Sequence, residues 1–141
     1  MKNLTTAIYS KFTATTEGAH NSLYNSIGGR MYESEAPEGA DFPYCVYMVV
    51  SDVPEYPGGK TIEQTLIQFS LFSSLSSSSE IKDMLAYLQA LYDDCSLTIT
   101  ANDLIYFIRG NLTPMRDEVT TASGTSGVWH YAQEYDLEMV K

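Results

Sequence analysis

The residues able to do chemistry are few and scattered. Catalysis needs a nucleophile, a base and a group that orients the base. The sequence holds two histidines, His20 and His130, and two cysteines, Cys45 and Cys95. His20 falls in a polar turn, and His130 on the charged face of an alternating strand, where it is read as solvated. Neither has a partner at a useful spacing. The cysteines form no CxxC pair and have no neighbouring histidine at ligand spacing, so they are read as buried free thiols. The segment GTSGV, 124–128, lacks the G-x-S-x-G spacing and belongs to a hairpin tip rather than a strand-to-helix elbow. An enzymatic or ligand-binding reading requires a deep pocket that gathers His130, a carboxylate and Arg109 or Arg116.

Two glycine pairs, Gly28-Gly29-Arg30 and Gly58-Gly59-Lys60, suggest a phosphate cradle built from backbone amides and a cation. Neither has the G-x-x-x-x-G-K-[ST] spacing or leads into a helix, so both are read as turns. Glu33, Glu35, Glu38 and Asp41 crowd one stretch but lack the order of a calcium loop, which leaves a solvated acidic loop. No cofactor and no metal is expected.

Acidic residues outnumber basic ones by 18 to 8, a formal charge of −10, and such a surface repels nucleic acid phosphates. Direct DNA binding is therefore not expected, although a channel wall of this sign would let DNA pass without holding it. The 141 residues suit one domain, 1–141, able to bury a core without disulfides or metal. No run of about 18 apolar residues occurs, and the N-terminal stretch does not read as a secretory signal. A soluble protein, made and kept in the cytoplasm of its cell and without a membrane partner, is the expectation.

The elements that must position these residues follow from periodicity. Leu4, Ala7, Ile8 and Phe12 recur at helical spacing and predict a helix over about 3–14, with a second turn at Leu23 and Ile27 stopped by Gly28-Gly29. Pro37, Gly39 and Pro43 keep the next segment, 30–42, out of helix and ladder. YCVYMVVS, 44–51, is apolar on both faces and predicts a strand covered from two sides. A long exposed loop is expected over 52–60. In the following strand, about 62–72, Ile67, Phe69 and Leu71 share a face, and Leu66, Phe72, Gln64, Gln68 and Ser70 the other. Ser77-Ser78-Ser79-Glu80 has capping-box spacing, and Ile81, Met84, Leu85, Leu88, Leu91 and Tyr92 form a full helical stripe behind it. Strands are expected at LTIT, 97–100, and from 104 towards Met115. The last strand, 127–140, places Trp129, Tyr131, Tyr135, Leu137 and Met139 on one face and His130, Glu134, Asp136 and Glu138 on the other, after a polar, flexible tip at 117–127. The order gives an α+β domain: an antiparallel or mixed sheet with helices on one face and a long C-terminal hairpin.

Eleven tyrosines are many for a core of this size, and tyrosine is favoured where surfaces meet. Tyr56, Tyr106, Tyr131 and Tyr135 are expected to include residues that face a partner.

With these elements in place, the stretch GGRMYESEAPEGADFPYCVYMVV resembles the bacteriophage tail completion, or tail-to-head joining, family. The specific part is G-G-R-x-Y followed by A-P-x-G-A-x-F-P-Y, carried by Gly28, Gly29, Arg30, Tyr32, Ala36, Pro37, Gly39, Ala40, Phe42, Pro43 and Tyr44. The helix EIKDMLAYLQALYD, the LTIT segment and the final WHYAQEYDLEMV extend the likeness over almost the whole chain. The motif is structural rather than catalytic. The resemblance implies a non-enzymatic subunit of a ring, usually of six, that ends the tail tube. It implies as partners other copies of the chain, the tail tube protein and the head-tail connector or stopper protein, with genomic DNA passing through the lumen. It places the protein in the tail or neck of a virion assembled in the host cytoplasm. A head-completion or connector protein of the same joint is the alternative. The 52–60 and 117–127 segments are longer than the pattern, and with 30–42 they are the expected contact loops, with Tyr56, Arg116 and Trp129 as expected anchors.

Overall fold

The structure, a computed structural model, describes the backbone of residues 1–121 and 124–141, with side chains outside 119–126. Helix α1, Lys2–Thr13, buries Leu4, Ala7, Ile8 and Phe12, the stripe its sequence predicts. A two-residue ladder, β1 (Thr15–Thr16) with β2 (Ala19–His20), turns the chain into α2, Ser22–Ile27. Asn21 fixes this join from both sides: its Oδ1 accepts from the Tyr24 amide at 2.9 Å, and its Nδ2 donates to the Phe12 carbonyl at 2.8 Å. The first bond caps α2 and the second satisfies an end carbonyl of α1.

Strands β3 (Met31–Glu33), β4 (Tyr44–Glu55) and β5 (Ile62–Ser73) precede helix α3 (Ser79–Tyr92), and β6 (Asp103–Thr121) and β7 (Gly124–Val140) follow it. The sheet order is β3-β4-β5-β7-β6, with β3 parallel to β4 and every other pair antiparallel. The three helices lie on one face. There Ile8, Phe12, Ile81, Met84, Leu88 and Tyr92 pack on Cys45, Tyr47, Ile67, Phe69, Leu71, Phe107, Tyr135 and Leu137. Each fully buried side chain of this kind contributes about 1.5–3 kcal/mol. Tyr92 stacks on Phe69 with centroids 4.6 Å apart, and its hydroxyl donates to the Ile8 carbonyl at 2.9 Å, tying α3 to α1. The α+β class, the mixed sheet, the helices on one face and the C-terminal hairpin are as the sequence predicts.

Several local expectations are corrected. The 52–60 segment is not a long loop: β4 runs on to Glu55, opposite Ile62, and only 56–61 connects the strands. Pro54 is tolerated because β3 covers β4 only as far as Tyr47, so this stretch is a sheet edge. Nor is β4 covered on both faces, since the side away from the helices is open at Met48 and Val53, which are 37% and 54% exposed. LTIT makes a single bridge, Ile99 to Asn102, instead of a strand. Most of 117–127 continues the β6–β7 ladder, from Asp117 opposite Val128 to Thr121 opposite Gly124. The expected flexibility of its tip lies outside the described residues. Within 30–42, β3 is a strand where a loop is expected. The capping box does not form either: Glu80 accepts a hydrogen bond from Ser73 at 2.7 Å, and the Ser77 hydroxyl accepts from the Ser79 amide at 3.2 Å.

Candidate assembly surface

The motif residues meet at one corner of the sheet. Gly28 and Gly29, at φ 59° and 74°, end α2 in the left-handed region. At Gly29 an added Cβ would lie 2.9 Å from the Tyr24 ring, so backbone and neighbour both require glycine. Arg30 then reaches across: its Nε donates to the Pro43 carbonyl at 3.0 Å and its Nη2 to that of Phe42 at 3.4 Å, while its own carbonyl accepts from the Cys45 amide at 3.0 Å. The guanidinium therefore clamps the beginning of β4 to the end of α2. Between these points Pro37 and Gly39 make a turn, closed by the Ala40 amide donating to the Pro37 carbonyl at 3.1 Å. Tyr32 meets Tyr44 edge-on at 6.0 Å, and Phe42 packs on Tyr44 at 5.2 Å.

From this corner a row of rings crosses the open face. Tyr44, Phe72, His130 and Met115 are register partners across β4, β5, β7 and β6. Tyr44 stacks on Phe72 at 4.9 Å and Phe72 on His130 at 4.3 Å. His130 is thus half-buried in an aromatic stack rather than solvated, and desolvation holds its imidazole below the usual range, against a smaller opposing pull from Asp117. His20 is likewise stacked, on Tyr24 at 3.7 Å. Farther along the same face Leu66, Tyr106, Ile108 and Val53 stand among Glu134, Asp136 and Glu138. Alternation along β5 and β7 shows these faces in the sequence, but the row depends on inter-strand register, which no single strand encodes.

The hairpin arm carries the other predicted anchors. Arg116 lies opposite Trp129, its guanidinium 4.5 Å from the indole centroid, and pairs with Glu118 at 3.3 Å. Trp129 is partly buried, edge-on to Tyr131 at 6.4 Å, at the margin of the core. Tyr56 stands apart at the β4–β5 tip, 73% exposed. Tyr131 and Tyr135 are core residues, and Tyr106 is half-buried. Gln133 is a residue sequence reasoning missed. It is fully buried on the helix side, its Nε2 3.0–3.2 Å from the carbonyls of Gly110, Asn111 and Glu134 and its Oε1 accepting from Gln89 at 3.2 Å. It fills the β6 bulge between Arg109 and Leu112.

The residues required for the enzymatic reading are not brought together. His130 is on the open face, whereas Arg109 and Arg116, opposite Tyr135 and Trp129, point to the helix side. Arg109 lies 3.6 Å from Asp93, which also accepts from the Tyr135 hydroxyl at 2.7 Å. Cys45 is fully buried and its thiol pushed far up by desolvation; Cys95 is only half-buried and pushed up to about 11 for the same reason. Among the described residues no three His, Cys, Asp or Glu side chains gather to hold a metal ion, and no helix is long and apolar enough to cross a membrane.

No protein-family model and no curated protein matches the sequence. In shape the chain is similar to a chain of the virion of a native gene transfer agent particle, with a TM-score of 0.73 and 11% identity over 98% of this chain and 95% of that one. At this identity it is the fold that is shared.

Proposed function

We propose that this protein is a structural component of a tailed-phage-type virion, and that it acts there as the ring subunit that ends the tail tube and joins the tail to the head connector. The observation that carries the virion reading is the shape match to a virion chain over nearly the full length of both, and the tail-ending role rests on the resemblance of the Gly28–Tyr44 motif. The corner built by Gly28, Gly29, Arg30 and Tyr44 agrees with it, because the glycines end α2 and Arg30 is bonded to the Phe42 and Pro43 carbonyls, so these residues serve the fold. So does an open sheet face on which rings and aliphatic side chains alternate with carboxylates, a composition suited to subunit contact. A net charge of −10 suits a channel that DNA crosses without adhering.

The role is tested in particles made without this protein. Tails of uncontrolled length that fail to join heads are expected; tails of normal length on filled heads overturn the reading. Electron microscopy of the joint then distinguishes the two positions. Density directly on the tube supports the tail-ending ring, and density against the portal supports a head-completion protein of the same joint.

A further inference from the structure

Two features lie at opposite ends of the open face. One is the β4–β5 tip, where Tyr56 is the most exposed large apolar side chain among the described residues. It is followed by a Pro57–Gly59 turn, closed by the Lys60 amide donating to the Pro57 carbonyl at 3.2 Å. The Lys60 side chain is exposed and, among the described residues, without an ion pair. The other feature is an open groove of about 390 Å³ between the Ser34–Ala36 wall and the row of Tyr44, Phe72 and His130, with Met48 on its rim. Beside it Glu35, Glu38 and Asp41 are exposed and equally without an ion pair among the described residues.

We propose that the groove receives the Tyr56–Pro57 tip of a second copy of this chain, with Lys60 of that copy facing the acidic 35–41 loop. Chemistry and charge match: a tyrosine and a proline, followed by one cation, meet a groove lined by rings, with Glu35 in its wall and Glu38 and Asp41 in the same loop. The tip does not reach the groove of its own chain. Tyr44 and Glu55 are the two ends of β4, eleven residue steps or roughly 36 Å apart along a paired strand. The donor and acceptor surfaces differ, so the contact is heterologous and passes from copy to copy, giving a ring if the rotation closes and a filament if it does not. Closure alone rests on the ring reading above. The same contact gives the carboxylates of the 35–41 loop a partner that they lack among the described residues.

The test combines association and cross-linking. Sedimentation of the wild-type protein is compared with Tyr56→Ala, Lys60→Glu, Glu35→Lys and the Lys60→Glu/Glu35→Lys double variant. Tyr56→Ala is expected to weaken self-association by roughly 10–100-fold, and each charge reversal to weaken it less, with recovery in the double variant. Separately, Tyr56→Cys and Met48→Cys proteins are mixed under oxidant, and a disulfide-linked dimer specific to the mixture is expected; wild-type protein controls for Cys45 and Cys95. Association unchanged by Tyr56→Ala, without the cross-link, overturns this contact and leaves the ring reading standing. Filaments that carry the cross-link retain the contact and overturn the ring. A wild-type chain that stays monomeric and gives no cross-link overturns the contact, and the ring reading is then judged on the particles made without the protein.

Discussion

Arg30 shows how a single residue in the sequence can be informative about structure while its chemistry misleads. Beside two glycines a cation suggests an anion cradle, yet its guanidinium is occupied by the carbonyls of Phe42 and Pro43. Arg30→Ala removes both bonds and leaves the Pro43 carbonyl half-buried, so a loss of about 1–3 kcal/mol is expected, read as a lowered urea midpoint. An unchanged midpoint would show that water replaces the clamp. Gly29→Ala is more severe for its size, because a Cβ meets the Tyr24 ring at a left-handed backbone position. About 1–3 kcal/mol is expected, and a thermal melt checks it. Glycine and proline punctuation made this corner readable from the sequence. His130 was misread because the strand face it shares carries Glu134, Asp136 and Glu138, whereas its actual neighbour, Phe72, lies across a strand pair.

At the scale of elements, the long ladders outlast their own punctuation. Pro54 and Asp52 look like loop residues, but an edge position removes the cost of the missing proline donor, and Asp52 accepts from Thr65 at 3.0 Å across the pair. LTIT fails in the opposite way: it has strand composition but only one bridge, and β propensity expresses packing against a neighbour more than a preference of the backbone. The helices were legible because their stripes are local. The β6 bulge was not, because Gln133 supports it from another strand. Gln133→Leu keeps the volume and removes the donor, leaving carbonyls of Gly110 and Asn111 without this partner. A loss of about 2–3 kcal/mol is expected, with hydrogen exchange accelerating at residues 108–113 before the rest of the sheet. Uniform acceleration across the sheet would show that the side chain serves global stability instead.

For the whole molecule, the stacked histidine links the open face to pH. Desolvation lowers the His130 pKa in the folded protein, with Asp117 opposing, while in the unfolded chain it takes its ordinary value of 6.5. Below 6.5 the unfolded state therefore binds a proton that the native state resists. The His130 contribution is intact above that pH and is lost progressively as pH falls towards the lowered native value. The carboxylates complicate the raw profile, since their protonation also relieves the repulsion within a chain of charge −10. Comparison with His130→Gln cancels that background, because both chains carry the same acids. Urea midpoints measured from pH 7.5 to 5 are expected to fall more steeply in the wild type than in the variant, with the two curves parallel above pH 7. Parallel curves throughout would mean that the imidazole is solvated in the native state, and that the row from Tyr44 through Phe72 opens in solution. A steeper fall in the wild type means that the row holds without a partner, leaving the face preformed for docking.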